Sequence, residues 1–590
     1  MNDASPASSV NKGTEMGLSF ANGFIGVCGP MVSSRPLRLS PAIASRATAM
    51  LERDHVKVLS FGNRESTLSN EFDGEIAGVI RGRPFSLSQS WRLKADASGL
   101  RLPERALLDL DGRYSLCLAV GQTQLICATD IIGAGALYYC EYDDHLWFGT
   151  HLGPLVATLP FTPSYDQVGM ANYLGGYTLF GARTIYENVR RLPACGYLVA
   201  DLSDGSRLKS VMAIYGDLPD LLCDVQNTCS LKSNLSRISE IDRESIIRET
   251  ADVDPILFLS GGRDSRAIAY SLLQISRHIP AVTFGLPKSD DVIGGQYAAR
   301  SMAFEQTVVS LAGTDYSTYA NEVVAYLGGV AGLFSGLRLA GYETATALGS
   351  IGLMGYLGDA TTGGHLPASK DMDRDAPIRF LLQRIGRSDV DLHAVYRDEL
   401  ETVREEIGQF YDKLDGLAAC QRCLIMDYMF RQATYISTEF DTAEIAIPAA
   451  YPFFHRERMK FWFNLPDDAL VGQRLYDEWL DGQEHAIRRS RPIRTLSARV
   501  RRRLARKARK SGSESLVDWT AIGRQSLAWL NDAVDRWCDD ERLEQICRAS
   551  LVKITQGEYL DKPQIVALAL APCMARQQLA RDLKGNQEGY

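Results

Sequence analysis

An apolar run, Ile256-Leu257-Phe258-Leu259, breaks into Ser260-Gly261-Gly262 and resumes as a helical pattern from Arg263-Asp264-Ser265-Arg266 to Tyr270. A short run of large aliphatics reads as a buried parallel strand, and the change of period reads as strand, turn and helix. Two glycines at such a turn let the backbone approach a ligand closely. The helix beyond offers unpaired N–H groups and the positive end of its dipole, so the turn is an anion site. The hydroxyls of Ser260 and Ser265 add donors. Asp264 would repel a phosphate there unless a divalent cation bridged the two, so an acid inside a phosphate loop implies a metal-bound nucleotide. A bare Gly-Gly corner would be an ordinary turn. The order Ser-Gly-Gly-x-Asp-Ser after an apolar strand is what marks this one. No Gly-x-x-x-x-Gly-Lys-Ser/Thr occurs, so γ-phosphoryl transfer is not indicated.

The stretch resembles the pyrophosphate loop of the ATP pyrophosphatases, which cleave ATP between the α and β phosphates and leave an acyl-adenylate or its equivalent. Ala281-Val282-Thr283-Phe284-Gly285 reads as the next parallel strand, followed by Ser289-Asp290-Asp291 and a helix through Gln296-Tyr297-Ala298-Ala299-Arg300. In a doubly wound sheet ligands sit at the carboxyl ends of strands, so both strand ends point at one crevice. The resemblance implies that Leu259, Thr283, Phe284 and Gly285 surround adenine and ribose there.

A third stretch is Gly355-Tyr356-Leu357-Gly358-Asp359-Ala360-Thr361-Thr362-Gly363-Gly364-His365. In isolation it reads as a flexible Gly-rich loop. Beside the first loop it resembles the second phosphate-facing loop of the asparagine synthetase superfamily, in the Gly-Asp-x-x-x-Gly-Gly-His form of lasso peptide cyclases. Asparagine synthetases carry Gly-Ser-Asp-Glu there. The resemblance implies that Gly358 faces phosphate, that Asp359 is the second Mg²⁺ carboxylate opposite Asp264, and that Tyr356 matches a catalytic Tyr of the β-lactam synthetases.

Upstream, Gly112–Val120, Gln124–Asp130, Leu137-Tyr138-Tyr139 and Leu146–Thr150 alternate as short strands between Gly and Asp turns. This half is rich in antiparallel sheet. Asp111-Gly112-Arg113-Tyr114, Asp130-Ile131-Ile132-Gly133 and Tyr173-Leu174-Gly175-Gly176-Tyr177 are similar to the glutaminase domain of asparagine synthetases, an N-terminal-nucleophile hydrolase. In Asn22-Gly23-Phe24-Ile25-Gly26 the position of that family's nucleophilic Cys holds Asn22, which is also internal. An amide cannot replace a thiolate, so this half is expected to be glutaminase-inactive, with Cys28 pointing elsewhere.

Downstream, Glu439 and Glu444 precede Tyr451-Pro452-Phe453-Phe454-His455, which stands where the family has Pro-Phe-Leu-Asp. In related enzymes a Glu upstream of this motif orients the Tyr or accepts the amine's proton. Spacing leaves both acids open, and Glu439 is preferred. From Arg488 to Lys510 the chain is densely basic, which fits either a solvated helix face or a phosphate site. The family's catalytic Lys falls in this region, and Lys507 is a candidate for it.

At 590 residues the chain needs more than one core. Its net charge of −8 argues against general nucleic-acid binding, and no apolar stretch reaches a membrane span. The twelve cysteines are scattered, and Cys420-x-x-Cys423 lacks a second pair, so free thiols in a reducing cytoplasm are expected. The fold expected is α/β. A disordered lead (1–19) precedes an N-terminal-nucleophile-hydrolase-like αββα domain (20–205). A doubly wound parallel-sheet ATP pyrophosphatase domain with a helical end, with Trp519, Trp529 and Trp537 as core candidates, fills 206–590.

The function implied is that of a lasso peptide cyclase. Such an enzyme adenylates an Asp or Glu side chain with ATP and Mg²⁺, and the peptide's own amine then attacks, aided by a Tyr356–Glu439 pair. Its partners would be a precursor peptide, a leader-peptide-binding protein and a leader peptidase, with no nucleic acid or membrane. Another acyl-adenylate amide former, such as an asparagine or β-lactam synthetase, is the alternative. A non-catalytic peptide scaffold is the other, although it would not need two acids facing a phosphate loop.

Overall fold

The computed structural model describes residues 17–21, 23–30, 32, 37, 44–61, 76–86, 104–176, 179, 181–203, 207–224, 229–314, 316–367, 394–490, 519–557 and 562–585. In the first half, strands alternate side chains between two faces, and here both faces are buried. In Gly23–Cys28, Phe24 and Cys28 enter one core while Ile25 and Val27 enter another. In Tyr114–Val120, Cys117 and Ala119 share the first core, and Leu116 and Leu118 the second.

The first core lies between two six-stranded sheets. One runs Gly17–Ala21, Ile76–Gly82, Tyr114–Val120, Gln124–Thr129, Gly196–Asp201 and Lys209–Ile214, antiparallel except for its first pair. The other runs Arg190–Arg191, Tyr138–Tyr142, His145–Gly149, Gly23–Cys28, Val56–Phe61 and Ala47–Arg53, antiparallel throughout. Lys209–Ile214 completes the first sheet, so the boundary expected at residue 205 falls later. An exposed edge strand lacks the apolar run of its buried neighbours, so the local sequence does not mark it as part of the sheet.

The second half opens on helix α1 (Leu231–Thr250), capped by Ser230, whose side chain accepts from the Ser233 N–H. Five parallel strands follow: β1 (Pro255–Phe258), β2 (Ala281–Gly285), β3 (Gln306–Ser310), β4 (Ile351–Leu353) and β5 (Ala449–Ala450). Their order is β3-β2-β1-β4-β5. The chain thus winds outward one way from β1 to β3 and the other way from β4, so the order reverses between β1 and β4. A crevice opens outside the strand ends at such a reversal. Helices α2 (Arg263–Gln274) and α3 (Asp290–Met302) follow β1 and β2, and α4 (Ser437–Glu444) and α5 (Arg474–Ser490) lie further on. Trp529 and Trp537 pack partly buried against the core. Among the described residues no helix is long and apolar enough to cross a membrane.

The halves are joined by a buried charge cluster. Arg81 and Arg113, from the first half, pair with Asp441 and Glu444 of α4. Removing one member of such a cluster costs about 3–5 kcal/mol, because its partner's charge stays buried.

Candidate active site at the strand ends of the parallel sheet

The turn after β1 is folded on its own hydroxyls. The Ser265 hydroxyl donates to the Ser260 carbonyl at 3.1 Å and accepts from the Ser260 N–H at 3.1 Å, while the Gly262 N–H donates to Ser260 Oγ at 3.0 Å. Gly261 lies against Gly294 of α3, where a Cβ on Gly294 would stand 2.4 Å from the Gly261 Cα. Two facing glycines therefore seat the turn on α3, while a Cβ on Gly262 would meet only Ser260 Oγ, at 3.0 Å.

A cavity of about 310 Å³ opens here, within the size range of small-molecule sites. Of the residues expected to hold nucleotide, Leu259, Ser260, Gly262, Asp264, Ser265, Thr283 and Phe284 line it. Gly261, Gly285, Gly358 and Asp359 are not among its lining residues. Thr283 Oγ1 donates to the Leu259 carbonyl and accepts from Gln306 Nε2, the latter at 2.6 Å, which ties the ends of β1 and β2 together. Phe258, Phe284 and Tyr342 form an aromatic wall, with ring centroids 5.1 Å apart in both pairs that include Tyr342.

Asp264 and Asp359 meet across the reversal. The Asp359 N–H donates to Asp264 Oδ2 at 3.0 Å, and the Tyr476 hydroxyl donates to Oδ1 at 3.0 Å. Gly358 makes room for this, since a Cβ there would stand 2.2 Å from Asp264 Cγ. Burial and then the Asp359 charge push the Asp264 carboxyl up to about 7. Burial also works upward on Asp359, but His365, which is bonded to it, holds it below the ordinary carboxylate value. His365 lies with Nε2 3.4 Å from Asp359 and Nδ1 2.8 Å from Asp427. Burial opposes its charge, yet these two acids raise it to about 9.

This donor set fits a magnesium ion. Its oxygens are hard, and Mg²⁺ takes one or two carboxylates plus phosphate oxygens and waters. Among the described residues no group of three or more His, Cys, Asp or Glu is placed to hold a metal by itself. Asp264 and Asp359 would therefore hold the cation together with a nucleotide.

The expected acid–base groups fare differently. Glu439 accepts from Ser335 Oγ at 2.9 Å and from Arg338 at 3.1 Å, and Arg338 lines the cavity. Tyr356 is 1% exposed, donates to the Gln432 carbonyl at 2.6 Å and packs on Phe440, which does line the cavity. Burial drives its phenol far above the ordinary value. The expected Tyr356–Glu439 pair is thus not joined, because each side chain has its own partners. Glu444 is corrected as a base: Arg81, Arg113 and the Tyr451 hydroxyl hold its oxygens, at 2.8, 2.6 and 2.8 Å, in the buried cluster between the halves. Lys507 and Asn22 lie outside the described residues.

Cys28 is fully buried between the two sheets, and burial, helped by Cys117 and Asp201, pushes its thiol far up. It cannot serve as a nucleophile. Cys420 and Cys423 are buried free thiols. His455, which replaces the motif's Asp, is 2% exposed and lies 3.5 Å from Asp111 and 3.2 Å from Glu249. Burial opposes its charge, but these acids raise it to about 9.

Sequence reasoning missed Tyr476, Arg338 and Asp427. Tyr476 reaches Asp264 from α5, more than 200 residues away along the chain. No local pattern carries such a contact.

A profile of the family described as asparagine synthase matches residues 243–583. No curated protein matches the chain. Among solved structures, the glutamine phosphoribosylpyrophosphate amidotransferase from B. subtilis, complexed with ADP and GMP, is similar over 48% of this chain and 65% of its own, at 9% identity and a TM-score of 0.20. A structure of the allosteric regulatory enzyme of purine biosynthesis is similar over 48% and 64%, at 9% identity and a TM-score of 0.21. The chain spans just under two thirds of the length of either, and likenesses this slight bear on neither fold nor function.

Proposed function

The chain belongs to the asparagine synthase family, ATP-dependent amide-forming synthetases that usually work with Mg²⁺, and from that premise we propose that it is an AMP-forming macrocyclase, closing an isopeptide ring in a ribosomal precursor peptide as lasso peptide cyclases do. The observation that carries the reading is the meeting of Asp264 and Asp359 over the Ser260-Gly261-Gly262 turn.

A carboxylate does not react with an amine at neutral pH, because an oxide would have to leave. In the proposed first step an Asp or Glu side-chain oxygen of the peptide bonds to the α-phosphorus of ATP. The α–β bridging bond breaks, and pyrophosphate departs. The α2 N-terminus and the Ser260 and Ser265 hydroxyls stabilise the departing charge. Asp264 and Asp359 would hold the Mg²⁺ that neutralises the phosphates. The aromatic wall of Phe258, Phe284 and Tyr342 suits the adenine face.

In the second step the peptide's N-terminal nitrogen bonds to the acyl carbon, AMP leaves and the amine loses a proton. An α-amine has a pKa of about 7.7–8.0, so a useful fraction, roughly a tenth, is neutral already at pH 7. Glu439, whose partner Arg338 lines the cavity, would take that proton.

Nitrogen from glutamine is disfavoured by the buried Cys28 thiol. A leader-binding protein and a leader peptidase would deliver the peptide to this site. The test is to incubate the protein with ATP, Mg²⁺ and candidate precursor peptides, with those partners present. A peptide lighter by one water, formed together with AMP, is expected. AMP formed only with free amino acids or ammonia would move the assignment to a small-molecule synthetase of the same family.

A further inference from the structure

Asp359 sits on a four-residue helical turn, Gly358–Thr361, and its side chain is 55% exposed. A metal-binding carboxylate in that setting needs something to fix its rotamer. The chain supplies it from six residues on. Gly363, at a φ of 92° that favours glycine, reverses the backbone, and the Gly364 N–H donates to the Asp359 carbonyl at 2.8 Å. This reversal brings His365 over Asp359, with Nε2 3.4 Å from Oδ2. The other ring nitrogen is 2.8 Å from Oδ2 of Asp427, whose side chain is 2% exposed. Gln432 donates to the same Asp427 oxygen at 2.9 Å. Gln432 lies on the π-helical stretch Tyr428–Ile436, which begins directly after Asp427. Such wide turns are rare and frequently kept at functional sites.

The arrangement is a histidine clamped between a buried, hydrogen-bonded carboxylate and the partly exposed carboxylate beside Asp264. A buried acid without a counter-charge is costly, so Asp427 anchors the imidazole, and the imidazole anchors Asp359. We propose that His365 and Asp427 are a positioning pair that holds Oδ2 of Asp359 and leaves the rest of its carboxylate available to the nucleotide-bound cation. The proposal rests on the reading of this cavity as an ATP–Mg²⁺ site. Partners one shell out from a metal ligand typically matter by about 10–100-fold in metal affinity.

The experiment uses Mn²⁺ as an EPR-visible stand-in for Mg²⁺ and α,β-methylene-ATP, which cannot be cleaved at the α–β position. Binding is therefore read without turnover. Full-length wild type should bind Mn²⁺ in the presence of the analogue. His365→Ala and Asp427→Asn should each weaken Mn²⁺ by about 10–100-fold. His365→Gln, which keeps a donor, should fall between His365→Ala and wild type. The double variant should be little worse than either single one, since the pair acts as a unit. Unchanged Mn²⁺ affinity in a folded His365→Ala protein overturns the positioning role, and because His365 is partly exposed, this variant keeps the test valid if Asp427→Asn does not fold. Wild type that binds no Mn²⁺ with the analogue overturns the ATP–Mg²⁺ reading itself, and the positioning pair with it.

Discussion

Two pairs of acids lie in the second half, and their surroundings are opposite. Asp441 and Glu444 are sealed between the halves and matched by two guanidinium groups, Arg81 and Arg113. Burial works upward on Asp441, yet those arginines hold it below the ordinary carboxylate value. Asp264 lines a cavity with Asp359 beside it, and Asp264 is pushed up to about 7 by burial and its neighbour's charge. The first pair is electrically closed. The second borders a cavity, and its charge is offset by His365 beside Asp359 and by the Arg458 charge acting on Asp264. An acid's counter-charges, more than its sequence motif, thus mark which carboxylates are candidates for a functional role.

The largest effect expected is at the open pair. Asp264→Ala and Asp359→Ala should each abolish ATP turnover in a protein that still unfolds cooperatively when its unfolding curve is recorded in EDTA. Near-normal pyrophosphate release by either variant would mean the pair holds no metal. At the closed pair the pattern inverts. Glu444→Ala should cost about 3–5 kcal/mol in a denaturant titration. Glu439→Gln, at a partly exposed ion pair, should stay within about 1 kcal/mol. Its loss should show in amide formation, by about 10²–10⁴-fold, with adenylation spared.

His455 gives a smaller, pH-dependent effect. Its folded pKa is raised to about 9, against about 6.5 in an unfolded chain. A raised histidine contributes stability that is fully present below about 6.5 and is lost as pH climbs through about 9. The full span is on the order of 3 kcal/mol, and His455→Gln should flatten that part of the stability–pH curve. The smallest effect is at Cys28. Cys28→Ser should cost about 1 kcal/mol for burying a hydroxyl, and glutamate release from glutamine should stay at background in both proteins.

These contrasts mark what a sequence reveals. The strand–turn–helix at Leu259–Ser265 was legible because a local period change and two glycines encode it, whereas the loop around Asp359 stood out only through its resemblance to a known family. That the two acids meet was implied only by the family resemblance and by no local pattern, since it depends on the order of β1 and β4 in the sheet. Glu439 and Glu444, five residues apart on one helix, look alike as text, and only the first half's arginines distinguish them. Glycines were ambiguous in the same way. Gly23 makes room for the Phe61 and His151 rings, 2.5 and 2.7 Å from where its Cβ would be, whereas Gly262 leaves space for a ligand. The edge strand Lys209–Ile214 escaped notice because exposure erases the apolar run that marks its buried neighbours.

The nucleotide product tests the central claim most directly. With ATP labelled at the α-phosphate, Mg²⁺ and a competent peptide, the label should appear in AMP, matched by equimolar pyrophosphate, and both should vanish in Asp264→Ala. Label appearing in ADP with release of inorganic phosphate would contradict the account, because it would place bond breaking at the γ-phosphate rather than over the Ser260-Gly261-Gly262 turn.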